Sequence, residues 1–117
     1  MPFLDSETLL EKQQRFVWMI SGLIDWAHKQ GYEITFGDAY RDPRAPYGHP
    51  KSLHRLRLAI DLNLFKDGKY LTTTEDYKIL GEKWEECGGT WGGRFGEKDG
   101  SGGSDGNHFS LEHEGVK

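Results

Sequence analysis

Two histidines and an aspartate, His54, Asp61 and His108, are of the residue types that bind a catalytic metal ion. Two imidazoles and one carboxylate supply three protein ligands and leave the fourth position of a tetrahedral zinc ion open, which is typical of catalytic rather than structural zinc. Asp105 lies three residues before the last histidine and is the natural candidate for a general base. These residues therefore predict a zinc centre that activates water.

Each of these residues, taken alone, has a plainer interpretation. His54 fits a polar loop residue, and His108 fits a strand histidine whose hydrogen bonds are satisfied. Asp61 interrupts an apolar segment, where a buried carboxylate needs a partner, so a structural hydrogen bond is its simplest role. His54 and Asp61, taken together with the Asp-x-x-His element at 105–108, form a pattern that is more specific than any single residue, and this pattern favours the metal site.

The first elements of the chain are predicted from apolar periodicity and turn residues. Asp5 or Ser6 can cap a helix, and Gly31 can end it. Apolar residues recur between them at helical spacing: Leu9, Phe16, Met19, Ile20, Leu23, Ile24 and Ala27. Residues 32–36 then alternate as a strand does, and residues 37–51 predict a loop.

A second strand and a hairpin are predicted next. Residues 58–65 are mainly apolar, and Asp67-Gly68 is a strong signal for a two-residue turn before a short return strand at 70–71. His54 and Asp61 are seven positions apart, and on one regular strand an odd spacing would turn them to opposite faces. We therefore expect His54 in a loop or turn before the strand and Asp61 on the strand.

The last third of the chain predicts a helix, two short strands and a loop. A threonine at 73 or 74 can cap a helix that runs to about Cys87, and we expect Cys87 in the core. The strands are expected at 90–91 and 108–112. The glycine-rich segment 96–106 predicts a flexible loop rather than a calcium site, because it lacks the spacing of an EF-hand.

Length and composition fit one small domain. The chain has 117 residues, of which 35% are hydrophobic, and this supports one modest core. We expect residues 1–117 to form a single α+β domain. In this domain a small, mostly antiparallel sheet carries the metal cleft, and helices cover its other side.

Charge and cysteine content exclude several classes of protein. The net charge of −4 disfavours a general nucleic-acid surface, and a single cysteine excludes an internal disulfide and a cysteine-rich zinc cluster. The N-terminal residues lack the pattern of a secretory signal, and no segment has the length of a membrane span. We expect a monomer without nucleic acid or membrane insertion, made in a reducing cytoplasm and carried by another agent to any target outside the membrane.

One extended pattern carries a resemblance: Ser52-x-His54-x-x-x-x-Ala59-x-Asp61, followed by Asp105-x-x-His108. This pattern resembles the zinc peptidases of the M15 family. That family includes D-Ala-D-Ala carboxypeptidases, D,D-dipeptidases of vancomycin resistance and L-alanyl-D-glutamate endopeptidases of bacteriophage lysins. The small size of the chain, and an aspartate rather than a glutamate three residues before the last histidine, are most similar to the phage endopeptidases. The resemblance extends from the first strand to about residue 112.

The resemblance implies a role for each of six residues. His54, Asp61 and His108 would be the zinc ligands, and Asp105 would be the catalytic acid/base. Arg41 would be the cation beside the substrate carbonyl or its oxyanion, and Ser52 would be a hydrogen-bonding residue beside the site. Arg57 departs from the pattern, because the family usually has a glycine there. Glycine permits backbone angles that other residues rarely adopt, so the local turn is the feature to examine.

The implied function is zinc-dependent hydrolysis of the stem peptide of bacterial peptidoglycan, with the L-alanyl-D-glutamate bond as the expected site of cleavage. The expected setting is a phage or prophage endolysin that is made in the host cytoplasm, released by a separate holin and active in cell wall degradation. D-Ala-D-Ala carboxypeptidase or dipeptidase activity is one alternative, with the same ligands. A zinc-holding module without catalysis is another, since Hedgehog amino-terminal domains resemble this fold. Asp105 and Arg41 favour a metallopeptidase.

Overall fold

The computed structural model describes residues 7–42, 44–46, 52–95 and 105–117. Within these residues, two α-helices and five strands follow one another: α1 (Leu9–Lys29), β1 (Glu33–Phe36), β2 (Ala59–Lys66), β3 (Lys69–Tyr70), α2 (Lys78–Glu86), β4 (Thr90–Trp91) and β5 (His108–Ser110). Neither of these helices is long and apolar enough to cross a membrane. The mixture of helices with short strands confirms the predicted α+β class.

The central strand of the antiparallel sheet is β2. Strand β1 pairs along one side of β2, β5 pairs along the other side, and β4 lies outside β5, while β3 pairs with the end of β2. Asp67 and Gly68 connect β2 to β3 with positive φ angles of 52° and 78°. These angles are those of the type I′ turn that an Asp-Gly pair favours, so the predicted hairpin is confirmed.

The two faces of β2 have different environments. Ile60, Leu62 and Leu64 are buried in a core cluster that also contains residues of both helices. Asp61 and Asn63 lie between them in the sequence and are only partly buried. Because side chains alternate along a strand, the core packs on one face of β2 and the polar residues occupy the other.

Helix α1 begins with a reciprocal capping pair. The hydroxyl of Thr8 accepts from the amide of Glu11 at 3.1 Å, and the carboxylate of Glu11 accepts from the amide of Thr8 at 3.0 Å. The prediction that Asp5 or Ser6 caps this helix is therefore wrong, because the Thr8–Glu11 pair satisfies the first amides of a helix that begins later. The predicted end is confirmed, since Gly31 has a φ of 95° just after the helix.

Trp84 lies at the centre of the core and joins α2 to the sheet. Its fully buried ring packs edge-on against Phe16 of α1 at 5.8 Å and against Phe109 of β5 at 6.4 Å. Its indole N–H donates to the carbonyl oxygens of Thr90 and Ser110, at 3.1 and 3.0 Å. The tryptophan is therefore buried without an unpaired donor, and it fixes α2 against β5.

Cys87 is exposed, so the prediction of a core cysteine is wrong. Leu80 and Trp84 are buried on α2, but the helix ends at Glu86 and Cys87 is only its C-terminal cap. Gly88 follows with a φ of 97° and turns the chain. The helical face that buries the earlier residues therefore does not extend to position 87.

Gly81 lies where α2 packs on Trp91 of β4, and a Cβ at this position would overlap the indole ring. We expect Gly81→Ala to lower the free energy of unfolding by about 1–3 kcal/mol, the usual cost of overpacking a core. Urea unfolding at a fixed metal concentration measures this change.

The matched control is Gly22→Ala on α1, because a Cβ placed there meets no described atom within 4 Å apart from the adjoining backbone of its own helix. This substitution should raise stability by about 0.5–1 kcal/mol, since alanine favours a helix over glycine. Equal stability of the two variants would contradict the packing argument.

Candidate metal centre

Strands β2 and β5 place Asp61 and His108 side by side. The two residues are directly paired in the antiparallel register, and the amide of Leu62 donates to the carbonyl oxygen of Asn107 at 2.9 Å. That hydrogen bond flanks the pair rather than joining it, so the pair is of the type in which side chains are most closely spaced. Both side chains lie on the face of the sheet opposite to the apolar core.

His54 approaches the same point from a short 3₁₀ helix, Leu53–Leu56, that precedes β2. Ser52 caps this helix, because its hydroxyl oxygen accepts from the amide of His54 at 3.2 Å. His54 is buried, with 3% of its surface exposed. The expectation that His54 precedes the strand and Asp61 lies on it is confirmed.

Arg57 ends the 3₁₀ helix in the left-handed conformation, with φ 58° and ψ 34°. Its amide donates to the carbonyl oxygen of His54 at 3.3 Å. A side chain at these angles is strained, and glycine is the residue that avoids the strain. The turn is therefore the one that a glycine would make. The guanidinium of Arg57 lies 4.2 Å from the centroid of the Tyr40 ring, a contact that offsets part of the strain.

Three candidate ligand atoms converge at one point. One atom each from His54, Asp61 and His108 lies within 4.8 Å of the others. Nε2 of His54 is 3.3 Å from Oδ1 of Asp61, and Nδ1 of His108 is 3.7 Å from the same oxygen. The structure thus brings together the three residues that the sequence suggests as metal ligands.

The hydrogen bonds around this group fit a bound cation. Nδ1 of His54 lies 3.2 Å from the carbonyl oxygen of Ala39. Because a carbonyl can only accept, the proton is on Nδ1 and the lone pair of Nε2 faces Asp61. Oδ1 of Asp61 is buried and receives no hydrogen bond from the described residues. A cation held by this oxygen and two imidazole nitrogens removes the cost of that unpaired oxygen, and the donor set suits zinc.

Electrostatic interactions keep Asp61 ionised. Burial acts to raise the pKa of Asp61, but His108 and His54 outweigh it and lower the pKa to about 2. Burial likewise acts to lower the pKa of His54, but Asp61 outweighs it, so that pKa lies above its ordinary value. A metal ion must therefore compete with a proton on His54, and its binding weakens as the pH falls.

His54 and His108 open onto a cleft of about 340 Å³. Its lining residues are Ser52, His54, Phe95, Asp105, His108, Val116 and Lys117. The rings of Phe95 and His108 are 5.2 Å apart between centroids, and Nε2 of His108 has no hydrogen bond among the described residues. An aromatic contact, rather than a polar partner, therefore orients the His108 ring from the cleft side.

Asp105 lies on the turn that leads into β5, beside the metal group. Its amide donates to the carbonyl oxygen of Gly92 at 2.9 Å, and its own carbonyl accepts from the amide of His108 at 3.1 Å. Gly92 is required here, because a Cβ would overlap the Asp105 carbonyl. Asp105 is exposed as a residue, but the atoms around its carboxyl partly shield that group from water. This desolvation is the main cause that raises the pKa of Asp105, and the negative charge of Asp61 raises it further.

Arg41 is held close to the metal group from two directions. Its guanidinium pairs with Asp38 at 3.1 Å, and its amide donates to the carbonyl oxygen of His54 at 3.1 Å. Only 10% of its side chain is exposed. Arg55 fastens the loop that follows, because its guanidinium donates to the carbonyl oxygens of Asp42 and Ala45, each at 3.1 Å. The side chain of Arg41 is therefore held in place by protein groups rather than extended into solvent.

Two residues that support the group were not anticipated from the sequence, Asp38 and Ala39. A bulge at the end of β1 places them, because Gly37 and Asp38 both face Asp61. The amide of Gly37 donates to the carbonyl oxygen of Asp61, and the amide of Asp61 donates to the carbonyl oxygen of Asp38, each at 2.8 Å. The only signal in the sequence is the Gly-Asp pair after the predicted strand. Ala39 acts through its backbone carbonyl, which no residue type reveals.

The other histidines have separate environments. Nδ1 of the exposed His28 lies 3.6 Å from a carboxylate oxygen of Glu33, and Nδ1 of His113 lies 3.0 Å from the ammonium of Lys12. Among the described residues, neither belongs to the metal group. His49 and residues 96–104, and with them most of the predicted flexible loop, lie outside the described residues.

Comparison with known families identifies the class of protein. Residues 47–111 match a family model of M15 peptidases that is described as D-alanyl-D-alanine carboxypeptidase. The match covers more than half of the chain and contains His54, Asp61, Asp105 and His108. The chain belongs to the M15 family of peptidases, which are zinc enzymes related to peptidoglycan. No curated protein matched the chain.

Replacing any one of the three converging residues should release the metal. We expect His54→Ala, Asp61→Ala and His108→Ala to lose stoichiometric zinc after dialysis, because two remaining ligands bind too weakly. Elemental analysis of each purified variant measures the zinc content. His28→Ala is the matched control and should keep the metal. A variant of the three that retains one zinc per chain would remove that residue from the ligand set.

The left-handed angles of Arg57 predict that glycine is more stable than alanine at this position, the reverse of their order inside a helix. We expect Arg57→Gly to be more stable than Arg57→Ala by about 1 kcal/mol, because alanine keeps the strain and loses the Tyr40 contact. Thermal or urea unfolding tests this order. At Gln14 on α1 the glycine variant should instead be less stable than the alanine variant, by about 1 kcal/mol. The same order at both positions would contradict the strained turn.

Proposed function

We propose that this chain is a zinc-dependent peptidase that cleaves the stem peptide of peptidoglycan at the L-alanyl-D-glutamate bond. The observation that carries the proposal is the convergence of His54, Asp61 and His108 beside Asp105 and Arg41, in a chain of the M15 family. Two imidazoles and a carboxylate hold zinc with a position left for a reactant. The accessible carboxylate and the fixed guanidinium supply the groups that amide hydrolysis needs.

Asp105 has the role of the general acid and base. Zinc, when bound by the three ligands, supplies a Lewis acid that polarises the scissile carbonyl and acidifies water. Asp105 accepts the proton of the attacking water and then donates it to the leaving amine. Its place outside the three converging residues, on the wall of the same cleft, leaves its carboxylate available for this transfer.

Arg41 and Ser52 bind the substrate from the side of His54. The guanidinium of Arg41, held by Asp38, stabilises the oxyanion that develops on the attacked carbonyl. Ser52 lines the cleft, and its hydroxyl oxygen accepts from the amide of His54. The proton of that hydroxyl therefore remains available to donate to the peptide backbone of a substrate.

D-Ala-D-Ala cleavage is the second candidate, because the matching family model carries that description. The same ligands would serve it. A non-catalytic zinc module is disfavoured by the positions of Asp105 and Arg41 near the metal group. The proposed setting is a phage or prophage endolysin, acting as a monomer on the cell wall after release from the host cytoplasm by a holin.

Digestion of purified peptidoglycan tests the proposed bond. New amino termini should belong to glutamate, and their appearance should stop with a chelator and return when zinc is restored. Release of free D-alanine without new glutamate termini would favour the second candidate. No cleavage by zinc-loaded protein would contradict both peptidase functions.

Asp105→Asn keeps the shape of the side chain but removes the proton acceptor. We expect zinc to remain bound while the turnover number falls by about 10²–10⁴, the range usual for general acid–base groups. Zinc analysis and initial rates on peptidoglycan measure the two effects separately. Asp25→Asn, an exposed position on α1, should keep the normal rate. Loss of zinc from Asp105→Asn would instead make Asp105 a support of the metal.

Arg41 should act mainly in the transition state. Arg41→Lys keeps the charge but loses the planar fork, so we expect a lower turnover number, and a still lower one for Arg41→Ala, with zinc retained. Arg44→Ala is the matched control, since the Arg44 side chain is 90% exposed and pairs only with Asp42 in the described structure. Rates equal to that of the control would remove Arg41 from the mechanism.

A further inference from the structure

A second pocket, of about 240 Å³, adjoins the metal cleft, and Asp105 lines both. Its walls are the segment after β3 and the turn before β5. The residues that matter below are Tyr70, Thr72, Thr73, Asp105 and Asn107. The roles proposed above use only Asp105 from this set, so the rest of the pocket has no assigned task.

The walls of this pocket are held in fixed contact. A Cβ on Gly106 would lie 2.9 Å from Cα of Thr74, which shows how closely the two segments approach. The indole N–H of Trp91 donates to the Gly106 carbonyl at 2.7 Å, and the Tyr77 hydroxyl donates to the Leu71 carbonyl at 2.8 Å. The pocket is therefore shaped by packing and hydrogen bonds on both sides.

The chemistry of the described lining suits an uncharged, hydroxylated ligand. Among the described lining residues there is no lysine, arginine or histidine, and Asp105 contributes a carboxylate, so the described lining does not favour an anion. Thr73 Oγ1 accepts from the amide of Asp76, which leaves its proton to donate. Nδ2 of Asn107 donates to Asn63, which leaves the Asn107 oxygen free to accept. Donors and acceptors of this kind bind hydroxyl and acetamido groups.

Tyr70 adds an exposed aromatic face to these polar groups. The residue is 53% exposed, and its ring lies 5.2 Å from that of Phe65 between centroids. Phe65 pairs directly with Tyr70 across the hairpin, so the two side chains share a face. An exposed ring beside hydroxyl and amide groups can pack on the C–H face of a sugar while the polar groups bind its substituents.

The distance from the metal group to Tyr70 fits cleavage of an L-alanyl-D-glutamate bond better than cleavage of a D-Ala-D-Ala bond. Phe65 lies four residues after Asp61 on the same face of β2, roughly 13 Å away at about 3.3 Å per residue. Between an L-alanyl-D-glutamate bond and the sugar lie one amino acid and a lactyl link, roughly 7 Å at about 3.5 Å per unit. The sugar ring then extends into the pocket. From a D-Ala-D-Ala bond, four amino acids and the link span roughly 17 Å, which carries the sugar beyond it.

We infer that the pocket between Tyr70 and Asn107 binds the amino sugar to which the stem peptide is attached. This inference rests on the proposed function and specifies its substrate: a peptide still joined to the glycan strand. The enzyme would then recognise the sugar on one side of the scissile bond and place the bond at the metal centre.

Binding of the uncharged disaccharide N-acetylglucosaminyl-N-acetylmuramic acid methylamide, whose lactyl carboxyl is capped as an amide as it is in the stem peptide, tests the inference without catalysis. An NMR titration of the zinc-loaded protein should show millimolar binding that Tyr70→Ala weakens by about tenfold or more. Tyr70→Phe keeps the ring and should retain binding. The control Trp18→Ala, which removes a ring that is 79% exposed on α1, should also retain it. No binding by the wild type, or equal binding by Tyr70→Ala, would overturn the inference.

Cleavage of matched substrates separates this inference from the proposed function. We expect kcat/KM to be about tenfold higher for a disaccharide-linked stem peptide than for the same peptide with an acetylated terminus, and Tyr70→Ala to bring that ratio to about one. Trp18→Ala should keep the wild-type ratio. Equal values in the wild type would overturn sugar recognition while the peptidase function stands. Sugar binding through Tyr70 with release of D-alanine alone would overturn the proposed bond instead.

Discussion

A buried carboxylate oxygen between two imidazoles is the constraint on which the rest of this structure depends. Asp61 lies on the central strand, where β1 fixes its backbone and β5 sets His108 directly beside it. Its Oδ1 has no hydrogen bond among the described residues, and a cation held by the three converging side chains would make its burial favourable. The tryptophan-centred core on the opposite face holds these strands in register, and the 3₁₀ helix adds His54.

The candidate ligands could be predicted from the sequence because their chemistry is local and visible. An aspartate on an apolar strand and a histidine at an odd spacing before it can share one metal site only if the chain turns between them. The structure has that turn at Arg57. The Asp67-Gly68 hairpin was predictable for the same reason, since residue types that accept positive φ determine the turn. The roles of Asp105 and Arg41 remain predictions, although both lie near the group.

Other features were missed in the sequence or depend on tertiary contacts. Local rules allowed Asp5 or Ser6 as the first cap, but the Thr8-x-x-Glu11 capping box, which is also a local pattern, decides where α1 begins. Periodicity placed Cys87 with Leu80 and Trp84, but α2 ends one residue earlier. Ala39 acts through a carbonyl oxygen and Asp38 through a bulge, and neither is visible in a list of side chains. The pocket beside Tyr70 likewise exists only because two distant segments meet.

Anomalous diffraction at the zinc absorption edge, from crystals of the zinc-loaded protein, locates the metal relative to its candidate ligands. We expect one peak at about 2.0–2.2 Å from a nitrogen of His54, an oxygen of Asp61 and a nitrogen of His108. Asp105 and Arg41 should lie near the peak without contacting it. A zinc ion held elsewhere, or by fewer than these three residues, would show that this group is not the metal site.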